Sequence, residues 1–168
     1  MSHLSDLLPI ARSTKHAVCL SQPMSDLVPV LHVVTHDGRI HPRIFEHADA
    51  LKDVGALAES VRATLDCDPA WAAVLVESYT QRGDARTLPG LTLAEDYDQN
   101  PATAVLPALS IIGCSSQGAW SAALLPYRYD DHGGPVWEQP MISETAGQLM
   151  TEGLGSVLGT LVAQVVAP

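Results

Sequence analysis

The sequence predicts an α+β domain, in which an antiparallel sheet of about five strands is flanked by helices. The expected order is helix, strand, strand, helix, three strands, helix. Two turn signals, Asp37-Gly38 and Ser115-Ser116-Gln117-Gly118, force antiparallel neighbours. Residues 47–65 and 143–166 repeat apolar side chains at helical spacing. At 168 residues, 46% hydrophobic and 17% charged, the chain is long and apolar enough for one domain, 1–168, with a real core. Aromatics are 5%, so Leu, Val, Ile and Ala must build that core.

Each element follows from local pattern. Leu4, Leu7, Leu8, Ala11 and Val18 line one side of an N-terminal helix over residues 1–20, with Pro9 blurring its start. Residues 28–35 and 39–45 are the hairpin strands around Asp37-Gly38. Leu51, Val54, Ala58, Val61 and Leu65 stripe the next helix, and Asp68-Pro69 closes it. Ala72–Thr80 is a strand, and residues 81–102, polar with Gly83, Pro89, Gly90 and Pro101, form a long surface loop. Residues 104–113 form a strand whose Pro107 argues for an edge or a bulge. Ala119–Tyr129 returns from the turn, and 130–140 is an excursion with a small hairpin at Val136-Trp137. Ser143 caps the last helix, striped by Ala146, Leu149, Met150, Leu154, Val157, Leu161 and Val165.

The 31–44 hairpin carries the least ordinary chemistry. With a two-residue turn at Asp37-Gly38, Thr35 faces Ile40, Val34 faces His41 and His32 faces Arg43. Leu31, Val33, Thr35, Ile40, Pro42 and Ile44 then share an apolar face. His32, Val34, His36, Arg39, His41 and Arg43 share the other. Imidazoles at that spacing suit a metal, with a fourth group drawn from Asp130, Asp131 or His132. Arg39 and Arg43 oppose a dication and favour an anion, so His32, His36, Arg39, His41 and Arg43 are the candidate ligand-binding residues. The plain reading is a solvated or acid-covered outer face, ahead of a docking surface for an acidic protein, an anion site and a metal site in that order. Pro42 requires an edge strand and hinders strand addition by another chain.

This element order, with Val33-Val34-Thr35-His36-Asp37-Gly38-Arg39 at its first hairpin, resembles the roadblock/longin and profilin-like architecture. In that architecture a five-stranded antiparallel sheet is flanked by helices, and an Asp-Gly-like pair turns between the first strands. The resemblance covers most of the chain and leaves the 81–102 loop and the 130–140 excursion as extras. It implies a dimeric scaffold or regulatory module without catalysis.

Other motifs are weaker. Gly113-Cys114-Ser115-Ser116 lacks the second Gly of a nucleophile elbow, and no helix follows to lower a thiol pKa. Glu95, Asp96, Asp98, Asp130 and Asp131 do not match a calcium loop. No catalytic residue, metal site or cofactor is assigned. A net charge of −10 argues against nucleic acid and against an anionic membrane surface. Cys19, Cys67 and Cys114 are odd in number and widely spaced, as expected of reduced thiols in the cytoplasm. The C-terminal helix is apolar on more than one side and carries Gly155-x-x-x-Gly159, so it packs tightly either within its own core or, through Leu154, Gly155, Leu158, Gly159 and Val162, at an oligomer interface. The expected function is a non-enzymatic interaction or regulatory module acting as a homo-oligomer. The alternative is a small-anion-binding protein or enzyme using the His/Arg face.

Overall fold

Nearly continuous apolar runs at Trp71–Val76, Ala108–Cys114 and Ala123–Tyr127 build strands that are buried on both faces, so helices must cover both sides of the sheet. The computed structural model describes residues 3–44, 52–81, 105–143 and 153–168. Its elements are α1 (Leu4–Ser21), β1 (Val30–Thr35), β2 (Ile40–Ile44), α2 (Val54–Arg62), β3 (Pro69–Gln81), β4 (Val105–Ser115), β5 (Trp120–Tyr129), β6 (Pro135–Trp137), β7 (Met141–Ser143) and α3 (Gly153–Val166). The class is α+β with an antiparallel sheet, and the helix–strand order follows the expectation. The sheet has seven strands rather than about five, in the order β2-β1-β3-β4-β5-β6, with β7 also pairing β5. The two extra strands come from the 130–143 excursion. Most of the 81–102 loop, residues 47–51 of the helix expected over 47–65 and residues 144–152 of the one expected over 143–166 lie outside the described residues; α2 ends at Arg62, and Ser143, expected to cap the last helix, is instead the last residue of β7, paired with Ala122.

Two cores sandwich the sheet. On one side Leu31, Val33, Ala72, Val74, Val76 and Cys114 pack against Ala58 and Val61 of α2 and Leu158, Leu161, Val162 and Val165 of α3. On the other, Val34, Trp71, Ala73, Leu75, Leu109, Ile111, Leu125 and Tyr127 pack against Leu4, Leu7 and Ala11 of α1. The indole of Trp71 lies over Gly113, where a Cβ would collide with it. β4 is an interior strand without a bulge, contrary to the reading of Pro107. Pro107 pairs with Tyr79 of β3, but the ladder to β5 begins only at Ala108↔Pro126. At Pro107 one edge of β4 carries no ladder, so its missing N–H disrupts nothing there.

Three hairpin loops share one construction. Thr35 N donates to Arg39 O (3.0 Å), Ser115 N to Ala119 O (2.9 Å) and Asp130 N to Gly134 O (2.9 Å). Each encloses three residues and ends on a glycine with positive φ: Gly38 (83°), Gly118 (81°) and Gly133 (77°). This is a tight turn followed by a left-handed residue, a three-residue hairpin loop. In each, a side chain of the first residue braces the loop. Thr35 Oγ1 donates to Asp37, Ser115 Oγ accepts from Ala119 N, and Asp130 Oδ1 accepts from His132 N and Gly134 N.

Candidate functional site

The three-residue loop at His36-Asp37-Gly38 shifts the β1–β2 register by one from that of a two-residue turn. The pairs are Val34↔Ile40, Val33↔His41, His32↔Pro42, Leu31↔Arg43 and Val30↔Ile44. A one-residue slip turns every side chain of one strand to the other face. The expected His/Arg face is therefore divided. Arg39, His41 and Arg43 lie on the α2 side, with Leu31 and Val33. His32 lies on the α1 side, with Ile40, Pro42 and Ile44. His36 is in the loop, exposed, its N–H donating to Asp68 O (3.1 Å).

The cations that remain together are already engaged. Arg39 Nε lies 2.6 Å from Asp37 Oδ2, and its Nη1 lies 3.7 Å from Asp66. The hydrogen bond from Thr35, reinforced by Arg39, holds the Asp37 carboxyl down to about 2. Arg43 Nη2 donates to Thr64 Oγ1, just past the end of α2. A cation there meets the negative end of the helix dipole, which also makes the position unwelcoming to an anion. His41 Nε2 is buried and has no partner among the described residues. His32 is 5% exposed, its Nδ1 likewise has no partner among the described residues, and burial lowers its pKa from the ordinary 6.5.

β2 is the edge strand that Pro42 requires. Thr35 and Arg39 form a hydrogen-bonded pair, so by alternation His32 and Pro42 do not, and the proline nitrogen points away from β1. The register slip leaves Ile40, Pro42 and Ile44 on the α1 side of the sheet, all exposed, with Ile40 at 41% and Ile44 at 62%.

Three of the five expected oligomer residues are covered within the chain. Leu158 and Val162 are fully buried against α2 and the sheet, and Gly159 is buried with them. The excess apolar surface of α3 is covered by its own chain, because α2 and the sheet flank it on two sides. The side chains of Leu154 and Gly155 lie outside the described ones.

Sequence reasoning missed a buried polar network beneath α1. Lys15, with no exposed surface, donates to Glu77 Oε1 (2.5 Å), Ser25 O (2.6 Å) and Tyr129 OH (3.0 Å). Glu77 also accepts from Leu27 N (3.0 Å) and from Tyr127 OH (2.7 Å). The ammonium lies 4.7 Å from the centre of the Tyr127 ring, a cation–π contact. Burial pulls the Lys15 pKa down, but the hydrogen bonds to Glu77 and Tyr129 outweigh it and the net shift is upward. Burial and the Glu77 charge push the Tyr127 phenol far up. Two signals marked the network. Lys15 falls on the stripe Leu4, Leu7, Ala11, Cys19, and Glu77 falls on the buried phase of β3 after Trp71, Ala73 and Leu75.

Elsewhere the chemistry is sparse. Cys114 is buried, burial raises its pKa, and its thiol points to Ser115 O (3.4 Å), the opposite of an activated nucleophile. Among the described residues no group of three or more His, Cys, Asp or Glu is placed to hold a metal ion. A cavity of about 60 Å³ at the start of α1 is lined by His3, Asp6, Leu7, Val34, Ile40 and Trp71, among others. No described helix is long and apolar enough to cross a membrane. Compared with protein-family models, curated proteins and solved structures, the chain matches none.

Proposed function

We propose that this protein is a non-catalytic interaction module that self-associates through the open apolar face of β2. The observation that carries the reading is the exposed stripe Ile40, Pro42, Ile44 on an edge strand. Exposed contiguous apolar surface is where proteins meet. A second copy is the favoured occupant on grounds of charge. Copies carrying −10 each repel, and they touch most readily where acid is scarce. The α1-side face of β2 carries no charged side chain from Ile40 to Ile44, since Arg39 and Arg43 lie on its other face. An uncharged stripe is also its own complement in a two-fold contact. Pro42 leaves the outer edge of β2 without a central donor, which favours face-to-face contact over strand addition. The saturated Lys15–Glu77 network suits a structural role, since each ammonium hydrogen already has an acceptor.

A stripe of this size fits a weak, reversible contact. Sedimentation at about 0.01 and 0.5 mM should give a monomer of 17.8 kDa at the lower concentration and dimer at the higher. Association should strengthen with added salt, which screens the mutual repulsion and leaves the apolar contact intact. Ile44→Glu should abolish the dimer, and Ile142→Glu, on the far edge, should leave it. Monomer throughout, or equal sensitivity to both substitutions, rejects the proposal.

A further inference from the structure

We propose that His32 is a pH-sensitive switch in the β1–β2 margin, packed as a neutral imidazole near pH 7 and loosening β2 and the cover of α1 when it takes up a proton. The switch acts within one chain and does not depend on self-association. Its basis is placement. His32 is 5% exposed and its Nδ1 has no partner among the described residues. Its neighbours on the same sheet face are Val30 and Val34 along β1, Pro42 on β2 and Ala73 on β3. None can accept a proton or balance a charge.

Among the described residues, the titratable groups on that face offer no counter-ion. β2 contributes none, its residues there being Ile40, Pro42 and Ile44. β3 contributes Glu77, whose oxygens are taken by Lys15, Leu27 N and Tyr127. β5 contributes Tyr127 and Tyr129, both tied into that network. α1 turns Lys15, itself a cation, toward the sheet and carries His3 at its start beside Trp71. Its buried stripe also holds the Cys19 thiol, which points to Ser25 O (3.8 Å), while Asp6, Arg12 and His16 are off that stripe. Asp26, in the segment entering β1, is exposed. A proton on His32 would therefore place an uncompensated cation between β2 and β3.

The sign follows from linkage. Burial depresses the pKa of this base, so stability is full above the unfolded value of 6.5 and is lost as pH falls through the window below it. The strand released first is β2, the edge strand, held on one side only.

The test is residue-resolved. A proton-detected titration of the imidazoles, on dilute protein at low salt, should place the His32 midpoint below 6.5. Hydrogen exchange of the β1 and β2 amides, corrected for intrinsic rates, should accelerate between pH 7.5 and pH 5. The acceleration should be about tenfold for each unit separating the native and unfolded pKa values. His32→Gln and His32→Leu should remove most of that acceleration, and His41→Gln should retain it. If one His32 variant does not fold, the other supplies the comparison, and the wild-type titration stands without either. A His32 midpoint at or above 6.5, or equal acceleration in wild type and a folded His32 variant, overturns the switch.

Discussion

Lys15 stands where the apolar stripe of α1 would put an aliphatic side chain, and its three hydrogens are all taken. Removing one partner of such a pair leaves the other charge buried, a cost of about 3–5 kcal/mol. Lys15→Met and Glu77→Gln should each destabilise the fold strongly in urea melts. Lys15→Met combined with Glu77→Leu should cost clearly less than the sum, giving a coupling energy in the double-mutant cycle. Because the Lys15 pKa is raised above 10.5, its contribution is full at neutral pH and is lost as pH climbs through the higher folded value. Wild type should thus lose stability in alkali more steeply than Lys15→Met. At Gly113 the Trp71 indole fills the space of a Cβ, so Gly113→Ala should cost about 1–3 kcal/mol by overpacking. Neither site is legible in composition. Lys15 and Glu77 are legible as polar residues on buried phases, but their meeting requires α1 to lie across β3 and β5, which only tertiary packing decides.

At the scale of elements, Asp37-Gly38 marked the first hairpin but not its loop length. A two-residue turn and a three-residue loop with a left-handed glycine use the same letters. The choice between them turned over the face of β2, scattering the histidines and exposing the isoleucines. The signal that separates the two is the recurrence of glycine three residues after a bracing Thr, Ser or Asp: Thr35/Gly38, Ser115/Gly118, Asp130/Gly133. Alanine at Gly38 or Gly118 meets open space, so each substitution should cost only the left-handed backbone penalty, about 1–2 kcal/mol. At Gly133 a Cβ would also lie 2.5 Å from Pro23 Cβ, so Gly133→Ala should cost more than either. Thermal melts of the three variants rank them. The helices were legible because their periodicity is dictated by the sheet they cover. The destination of the surplus apolar face of α3 was not, because α2 and a second chain would bury it equally well.

For the whole molecule, three layers bury most of the described apolar surface; Leu20, Met24, Val28, Val136 and Ile142 are exposed singly, and β2 exposes a row. α1 covers one side of β3, β4 and β5, and α2 with α3 covers the other. β2 extends past α1, and there Ile40, Pro42 and Ile44 stand open. The order of elements and the edge position of β2 could be read from turns and Pro42 alone. The use of that edge could not, because it depends on which face the register exposes. A contact between copies at β2 is reported directly by the isoleucine methyls. The chain has six isoleucines: Ile10, Ile40, Ile44, Ile111, Ile112 and Ile142. In a methyl spectrum recorded from dilute to concentrated protein, Ile40 and Ile44 should shift or broaden with concentration while Ile111, Ile112 and Ile142 hold still. Fixed signals at Ile40 and Ile44 across that range, or movement confined to Ile142, would contradict it.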